Sequence, residues 1–281
     1  MSGAMRVSVI IVTYEWPGAL DSVLESLSLQ TVMPLEIIVT DDGSGPETRE
    51  VVAAWQGRIA CNLKFLWQED RGFRAGQARN RGVAASQGDY LVFLDGDCLV
   101  FPDFVKRHQA LAENSCQVVG NRILLSEALS RLVLEGKERP FRWGLPRWIR
   151  GRLMGEVNRL LPLIRLGDGA WRKKRAGKWS GAQSCNLGIW RQDFFAVNGF
   201  DEDFAGWGHE DADLVVRLMG KGVTRKDGHF SVPVLHLWHR ENNRNLEPEN
   251  LKRLNDALEG KRDLVASSGV SNHVREHGLN D

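Results

Sequence analysis

Over the first 120 residues, short unbroken apolar runs alternate with longer stretches of helical spacing. Val7-Ser8-Val9-Ile10-Ile11-Val12 is the first such run and Glu36-Ile37-Ile38-Val39-Thr40 the second. Leu63–Trp67 is the third, and Tyr90-Leu91-Val92-Phe93-Leu94 the fourth. Short runs rich in Val, Ile, Leu and Phe read as strands buried on both faces. Between the first two, Leu20, Val23, Leu24 and Leu27 share one helical face, and Pro17 stands near the helix start, where its fixed φ is tolerated. The same reading predicts helices over Glu47–Trp55, Ala75–Ala85 and Asp103 to Asn114, then a strand Gln117-Val118-Val119. Regular alternation of strand and helix predicts an α/β fold, a Rossmann-like, mostly parallel sheet flanked by helices.

The ends of these strands carry the chemistry. The first runs into Thr13-Tyr14-Glu15, the second into Asp41-Asp42-Gly43-Ser44-Gly45, and the fourth into Asp95-Gly96-Asp97. Buried charge is costly unless paired or bound to metal, so these carboxylates belong where each strand leaves the sheet. In an open parallel sheet, ligands bind in the crevice beyond the carboxyl ends of the strands. Hard oxygen ligands there suit Mg²⁺ or Mn²⁺ carrying a phosphate. Taken alone, Asp95–Asp97 is equally an Asp-Gly turn, and so is Asp41–Gly45. No G-x-G-x-x-G follows the first strand, and no G-x-x-x-x-G-K-[ST] loop is present. Phosphate must then be neutralised otherwise. A metal on Asp97 supplies one means. Arg71, Arg74 and Arg79 supply another, since guanidinium suits forked phosphate contact; one of them, with Arg79 as the candidate, meets the diphosphate.

Val7–Tyr14, Asp41-Asp42-Gly43-Ser44, Arg79-Asn80-Arg81-Gly82 and Phe93-Leu94-Asp95-Gly96-Asp97 together resemble, in this order, the motifs of family 2 glycosyltransferases of the GT-A fold. The resemblance covers roughly residues 7 to 110. It implies a nucleoside pocket lined by Thr13, Tyr14, Glu15 and Asp42, with Asp42 on the base. Glu15 departs from the asparagine often found there. It further implies Asp95 on the ribose or the metal, and Asp97 bound to the metal directly.

Farther along, Ser180–Ile189 resembles the strand returning under the acceptor site in the same enzymes, and Gly206-Trp207-Gly208-His209-Glu210-Asp211 resembles the Gly-Trp-Gly-x-Glu-Asp segment of galactosyltransferase-type C-terminal regions. The glycines let the backbone approach a sugar, and Trp207 can stack on its face. Glu210 and Asp211 open a helix, whose N-terminal dipole favours carboxylates; helix capping alone would also place acids there. The family pattern implies Asp211 as general base for an acceptor hydroxyl, with Glu210 holding or sharing it. In Val234-Leu235-His236-Leu237-Trp238-His239, two histidines three apart follow a strand. The same resemblance implies that His239, with His236 before it, completes the metal site.

Leu124–Lys178 is the least regular part. Between Arg139 and Lys178, twelve Lys and Arg face only Glu156 and Asp168, interleaved with Trp143, Leu145, Trp148, Ile149, Leu153 and Met154. A basic amphipathic stretch of this kind fits an anionic membrane surface, an anionic acceptor, a lid over the site, or a solvated helical insertion. Nucleic acid is excluded as a partner, because the 281-residue chain carries a net charge of only +1. No apolar run approaches the roughly 20 residues that span a bilayer, and Val7–Val12 is too short for a signal peptide. Cys61, Cys98, Cys116 and Cys185 form no CxxC pair and read as small apolar residues kept reduced. The expected location is the cytoplasm, peripheral on the inner face of its membrane if the basic stretch meets lipid.

These readings divide the chain into a nucleotide-sugar-binding half (1–120), a basic insertion (121–179), an acceptor-binding and catalytic half (180–245) and a helical tail (246–281). The expected function is inverting, metal-dependent transfer of a sugar from a nucleoside-diphosphate sugar, UDP-linked, to a saccharide or lipid-linked saccharide such as a lipopolysaccharide or capsule precursor. A sugar nucleotidyltransferase and a non-catalytic carbohydrate- or lipid-binding module are the competing readings, and neither accounts for Gly-Trp-Gly-x-Glu-Asp beside Asp97 and His239.

Overall fold

β1 (Val7–Thr13), α1 (Pro17–Ser28), β2 (Glu36–Asp41), α2 (Pro46–Trp55), β3 (Asn62–Trp67), α3 (Ala75–Ala84) and β4 (Tyr90–Asp95) follow the predicted alternation. The computed structural model describes residues 5–240 and 245–274. The next elements are β5 (Cys98–Val100), α4 (Phe104–Leu111), β6 (Cys116–Val119), β7 (Asn121–Leu124), α5 (Glu127–Leu134) and α6 (Leu145–Leu153). After short 3-10 turns come β8 (Asn186–Trp190), α7 (Arg191–Ala196), α8 (Glu210–Gly220), β9 (Thr224–Asp227) and β10 (Pro233–His236). The chain closes with α9 (Glu247–Leu258) and α10 (Ser271–Val274). Part of the predicted tail, residues 275–281, lies outside the described residues.

Seven strands form the main sheet in the order β3-β2-β1-β4-β8-β6-β9. β3, β2, β1 and β4 are parallel, and β8 is antiparallel to both its neighbours. Both faces are buried, which is why these strands are continuously apolar rather than alternating. Val9 and Ile11 pack on one face with Leu20, Leu24, Val52 and Phe104; Ile10 packs on the other with Val83, Phe194 and Leu214. Helices therefore cover both sides.

A second sheet, β5-β10-β7, was not anticipated from the pattern. Its strands are only three or four residues long, too short to show a period. β10 runs antiparallel to β5 and parallel to β7. Asn121–Leu124, which the pattern assigns to the insertion, is thus a strand. Asn186 of β8 ties the sheets together: its Nδ2 donates to the Val232 and Asn121 carbonyls, while Oδ1 lies 3.2 Å from His108 Nε2. The last turn, α10, packs on α3 through His273, whose Nε2 is 2.7 Å from Glu202 Oε1.

β8 crosses β4 and α4 where Gly188 has no room for a side chain. A Cβ there would fall 2.2 Å from Tyr90 Oη and 2.9 Å from His108 Nδ1. Gly188→Ala should destabilise the protein by about 1–3 kcal/mol, the usual cost of overpacking. The expected observation is a lower urea midpoint at unchanged slope, and an unchanged midpoint would contradict this packing.

Candidate active site

The carboxyl ends of β1, β2 and β4 share one edge, since Thr13 pairs with Asp41 and Val12 with Asp95. At that edge the chain leaves the main sheet and enters the small one within two residues, Gly96 and Asp97. The Gly96 N–H donates to the Val12 carbonyl at 2.8 Å, and a Cβ on Gly96 would lie 2.9 Å from Thr13 Oγ1. Only glycine permits so close a turn. β10 then pairs with β5 so that His236 stands opposite Cys98, and the Leu237 N–H donates to the Asp97 carbonyl at 3.0 Å.

This pairing gathers three side chains from the two ends of the sequence. Asp97 Oδ2 is 3.5 Å from His236 Nε2 and 3.4 Å from His239 Nε2, and the two imidazole centroids are 5.2 Å apart. Donors each about 2.1 Å from one ion stand roughly 3.0–3.4 Å from each other, so each histidine nitrogen stands from Asp97 Oδ2 at about the spacing that two ligands of one divalent cation take. His239 Nδ1 lies 2.6 Å from the Arg240 carbonyl, which can only accept, so Nδ1 carries a proton there, and Nε2 is the ring nitrogen turned to Asp97. Trp16 stands edge-on to His239 at 6.0 Å and limits its rotation. Burial holds His236 below its ordinary value, which favours the neutral, ligating form. Cys98 Sγ also lies near Asp97, but burial pushes its thiol well above the usual range and keeps it protonated. It is a core residue. All four cysteines are free, Cys61 half-buried and the others buried.

Arg79 differs from its expected place on the diphosphate. Its side chain is buried, and Nη2 donates to Asp95 Oδ1 at 2.9 Å. Nη1 lies 3.6 Å from Glu210 Oε1 and 3.9 Å from Asp211 Oδ1. A guanidinium withdrawn from water needs anions around it, and three carboxylates supply them. Burial, and the Asp211 carboxylate beside it, push the Glu210 carboxyl up to about 7. Asp211 Oδ2 accepts the Ser184 N–H at 3.1 Å, while its buried Oδ1 has no hydrogen-bond partner among the described residues. Arg71 is turned to Glu69, and the Arg74 guanidinium to the Glu69 carbonyl and Gln77.

The three loops beyond β1, β2 and β3 are laced together. Asp41 Oδ1 accepts the Gly43 and Ser44 N–H groups and the Ser44 hydroxyl, an Asx turn that shapes the loop. Asp42 accepts from Gln68 Nε2 and from the Arg74 N–H, each at 2.6 Å. Glu15, at φ +48°, accepts the Gly45 N–H at 2.8 Å. The exposed Tyr14 hydroxyl donates to Asp70 Oδ2 at 3.1 Å, and Thr13 is buried beneath them. Gln68 and Trp16 carried no motif in the sequence; Ser184 lay within the Ser180–Ile189 resemblance, but only the fold gives its amide a carboxylate to meet.

Across the crevice, Gly206 at φ +73°, Gly208 at φ +112° and His209 at φ +71° bend the chain into α8. A Cβ on Gly206 would fall 2.8 Å from Leu246 Cδ1. Trp207 is half-buried and Gly208 buried. Positive φ at three of four consecutive residues lets Glu210 and Asp211 begin the helix facing Arg79.

A doubly covered, mostly parallel sheet with an Asp-Gly-Asp corner at its carboxyl edge is the GT-A class of fold. A family model described as glycosyl transferase family 2 matches residues 8–152, more than half of the chain, which therefore belongs to that family. A second model, described as the N-terminal domain of galactosyltransferase, matches residues 170–236. Validoxylamine A glucosyltransferase of Streptomyces hygroscopicus subsp. limoneus is 31% identical over 240 residues, covering 77% of this chain and 48% of that protein. The chain thus spans about half the length of such curated relatives. Among solved structures, GalNAc-T7 with UDP, GalNAc and Mn2+ aligns with a TM-score of 0.61 at 18% identity, covering 90% of this chain and 48% of that one. S. aureus TarS 1-349 in complex with UDP aligns with a TM-score of 0.59 at 14% identity, covering 97% and 70%.

Because the fold raises the Glu210 carboxyl from 4.5 to about 7, it favours the protonated form. That contribution to stability is complete below about pH 4.5 and is lost as pH rises through about 7. Glu210→Gln, permanently neutral, should therefore gain on the wild type between pH 5 and pH 8, by a melting-temperature difference on the order of 5 °C. A difference independent of pH would place the raised carboxyl elsewhere.

Proposed function

We propose that the chain is an inverting, divalent-metal-dependent glycosyltransferase that takes a nucleoside-diphosphate sugar, UDP-linked, as donor and a saccharide hydroxyl as acceptor. The observation that carries this reading is the convergence of His236 and His239 on Asp97 at one edge of the crevice, together with the Asp211 carboxylate, whose buried Oδ1 has no hydrogen-bond partner among the described residues. Family membership supports a sugar-transfer reaction over nucleotidyl transfer or a non-catalytic role. Two fold neighbours were solved with such ligands, one with UDP and the other with UDP, GalNAc and Mn2+, which supports the donor class and the cation.

Asp97, His239 and His236 hold Mn²⁺ or Mg²⁺ in this reading, an oxygen and imidazole set suited to either. The cation, when bound, stabilises the negative charge that develops on the departing diphosphate. Thr13, Tyr14, Glu15, Asp41 and Asp42 form the nucleoside side of the pocket, with Asp42 accepting from the base; Asp95 meets the ribose. Trp207 stacks on a sugar face, and Gly208 lets the backbone come close. Asp211 Oδ1 takes the proton from the acceptor hydroxyl as that oxygen bonds to the anomeric carbon. The bond from that carbon to the diphosphate breaks on the opposite face, which inverts the centre in a single displacement. The Ser184 amide fixes the orientation of Asp211, and Glu210, partly protonated near neutrality, supports or shares its work. Arg79 holds the acids in place from below. A lipid-linked acceptor and an anionic membrane surface fit the exposed basic residues of the 121–179 stretch, at the inner face of the cytoplasmic membrane. No helix among the described residues is long and apolar enough to cross a membrane.

Release of UDP from a panel of UDP-sugars tests the reading. Chelation should abolish turnover and Mn²⁺ restore it; turnover unaffected by chelation would overturn the metal role. Asp211→Asn should leave donor binding intact and lower turnover by about 10²–10⁴-fold, the scale for losing a general base. His239→Ala should weaken metal binding, read directly by titration calorimetry, about 10–100-fold or more.

A further inference from the structure

The basic stretch resolves into charges that are used internally and charges that are not. Arg147 pairs with Glu138 and Glu156 and lies over the Trp143 ring; Arg139 pairs with Glu25, and Lys173 with Glu113. The buried Arg172 donates to four backbone carbonyls. Arg142, Arg150 and Arg152 are exposed and form no ion pair among the described residues. They surround α6.

α6 is amphipathic in an unusual sense. Trp148 and Gly151 are its buried side, and Trp148 packs with Phe101, Leu235 and Leu237, next to the strand that carries His236. The opposite side holds Leu145, Ile149 and Leu153 at four-residue spacing, 65%, 45% and 81% exposed. At 100° per residue these three lie within about 80° of arc, with Arg152 on one flank and Arg150 on the other. Met154, 68% exposed, follows at the helix end, on the far side of Arg150 from the stripe. An apolar stripe between two arginines is the arrangement by which a helix lies in a bilayer interface, its arginines reaching the headgroups.

We propose that the Leu145/Ile149/Leu153 face of α6 docks on an anionic lipid surface. This deepens the reading of a lipid-linked acceptor given above and rests on it for purpose, though not for geometry. Charge selects the occupant. Residues 139–178 contain only two acids, and both are taken, Glu156 by Arg147 and Asp168 by Lys226. A second copy joined symmetrically through this face would set arginine against arginine with no carboxylate to separate them. A nucleic acid would offer the leucines nothing.

Flotation of the full chain with vesicles of phosphatidylcholine, alone or mixed with phosphatidylglycerol, tests the proposal. The wild type should float with the mixed vesicles and not with the neutral ones. Ile149→Glu with Leu153→Glu, and separately Arg150→Glu with Arg152→Glu, should each lower binding by about tenfold or more. Both pairs are on the surface, and an unchanged melting temperature shows that the fold is intact. Binding equal to wild type in both variants, or equal floating with neutral vesicles, would overturn the proposal. So would a wild-type self-association, seen by sedimentation, that the leucine variant abolishes. Metal-dependent UDP release, measured in parallel without vesicles, separates this outcome from failure of the catalytic reading: either can fall while the other stands.

Discussion

A guanidinium shut away from water must be surrounded by negative charge, and Arg79 meets that need with carboxylates drawn from two distant stretches of chain. Asp95 comes from the end of β4, while Glu210 and Asp211 come from the start of α8 more than a hundred residues later. The cluster therefore joins the two halves of the crevice by one cation. It also has more acid than base. Burial, and beside it the excess of acid, raises the Glu210 carboxyl, and Asp211 accepts the Ser184 amide. Removing the arginine would strand one buried acid and two half-buried ones, and removing one acid would leave the others a better share of the charge.

The second organising feature is the transfer of the chain between sheets. β4 belongs to the large parallel sheet and β5 to the small one, so Gly96 and Asp97 occupy a corner that cannot be lengthened. Antiparallel pairing of β10 with β5 then delivers His236 to that corner, and the bend after it returns His239 to the same face. One short strand pairing decides whether Asp97 has histidine neighbours. Asn186, donating from the large sheet to carbonyls at the small one, keeps their relative position fixed.

The stretch between the halves shows how little a charge count reveals. Half of its cations are committed to ion pairs, ring faces or backbone carbonyls, as in Arg147 and Arg172. What remains is exposed: Arg142, Arg150 and Arg152 on or next to the helix whose apolar stripe the fold leaves open to solvent, and Lys174, Arg175 and Lys178 farther along the chain.

The apolar runs of β1 to β4 could be recognised from sequence because strands buried on both faces have no polar interruptions, and the helices between them kept clean spacing. Asp41, Asp42, Asp95 and Asp97 could be singled out because each stands at the end of an apolar run, and Glu210 and Asp211 because of the Gly-Trp-Gly-x-Glu-Asp resemblance; that Asp41 and Asp42 stay buried was not legible. β5, β7 and β10 escaped the pattern in part or whole, being too short for a period to show. Arg79 was assigned to phosphate because sequence records that a cation is present but not which anions face it; its partners lie 16 and 131 to 132 positions away, distances set by topology. Gln68 and Trp16 were invisible for the same reason, and so was the role of the Ser184 amide, since a backbone amide or an indole edge acquires a role only through position. Local sequence determined which segments are strand or helix and where charge must surface, because those depend on neighbours in the chain. Tertiary structure alone decided which of those charges meet, because Coulomb and hydrogen-bond energies depend on separation in space.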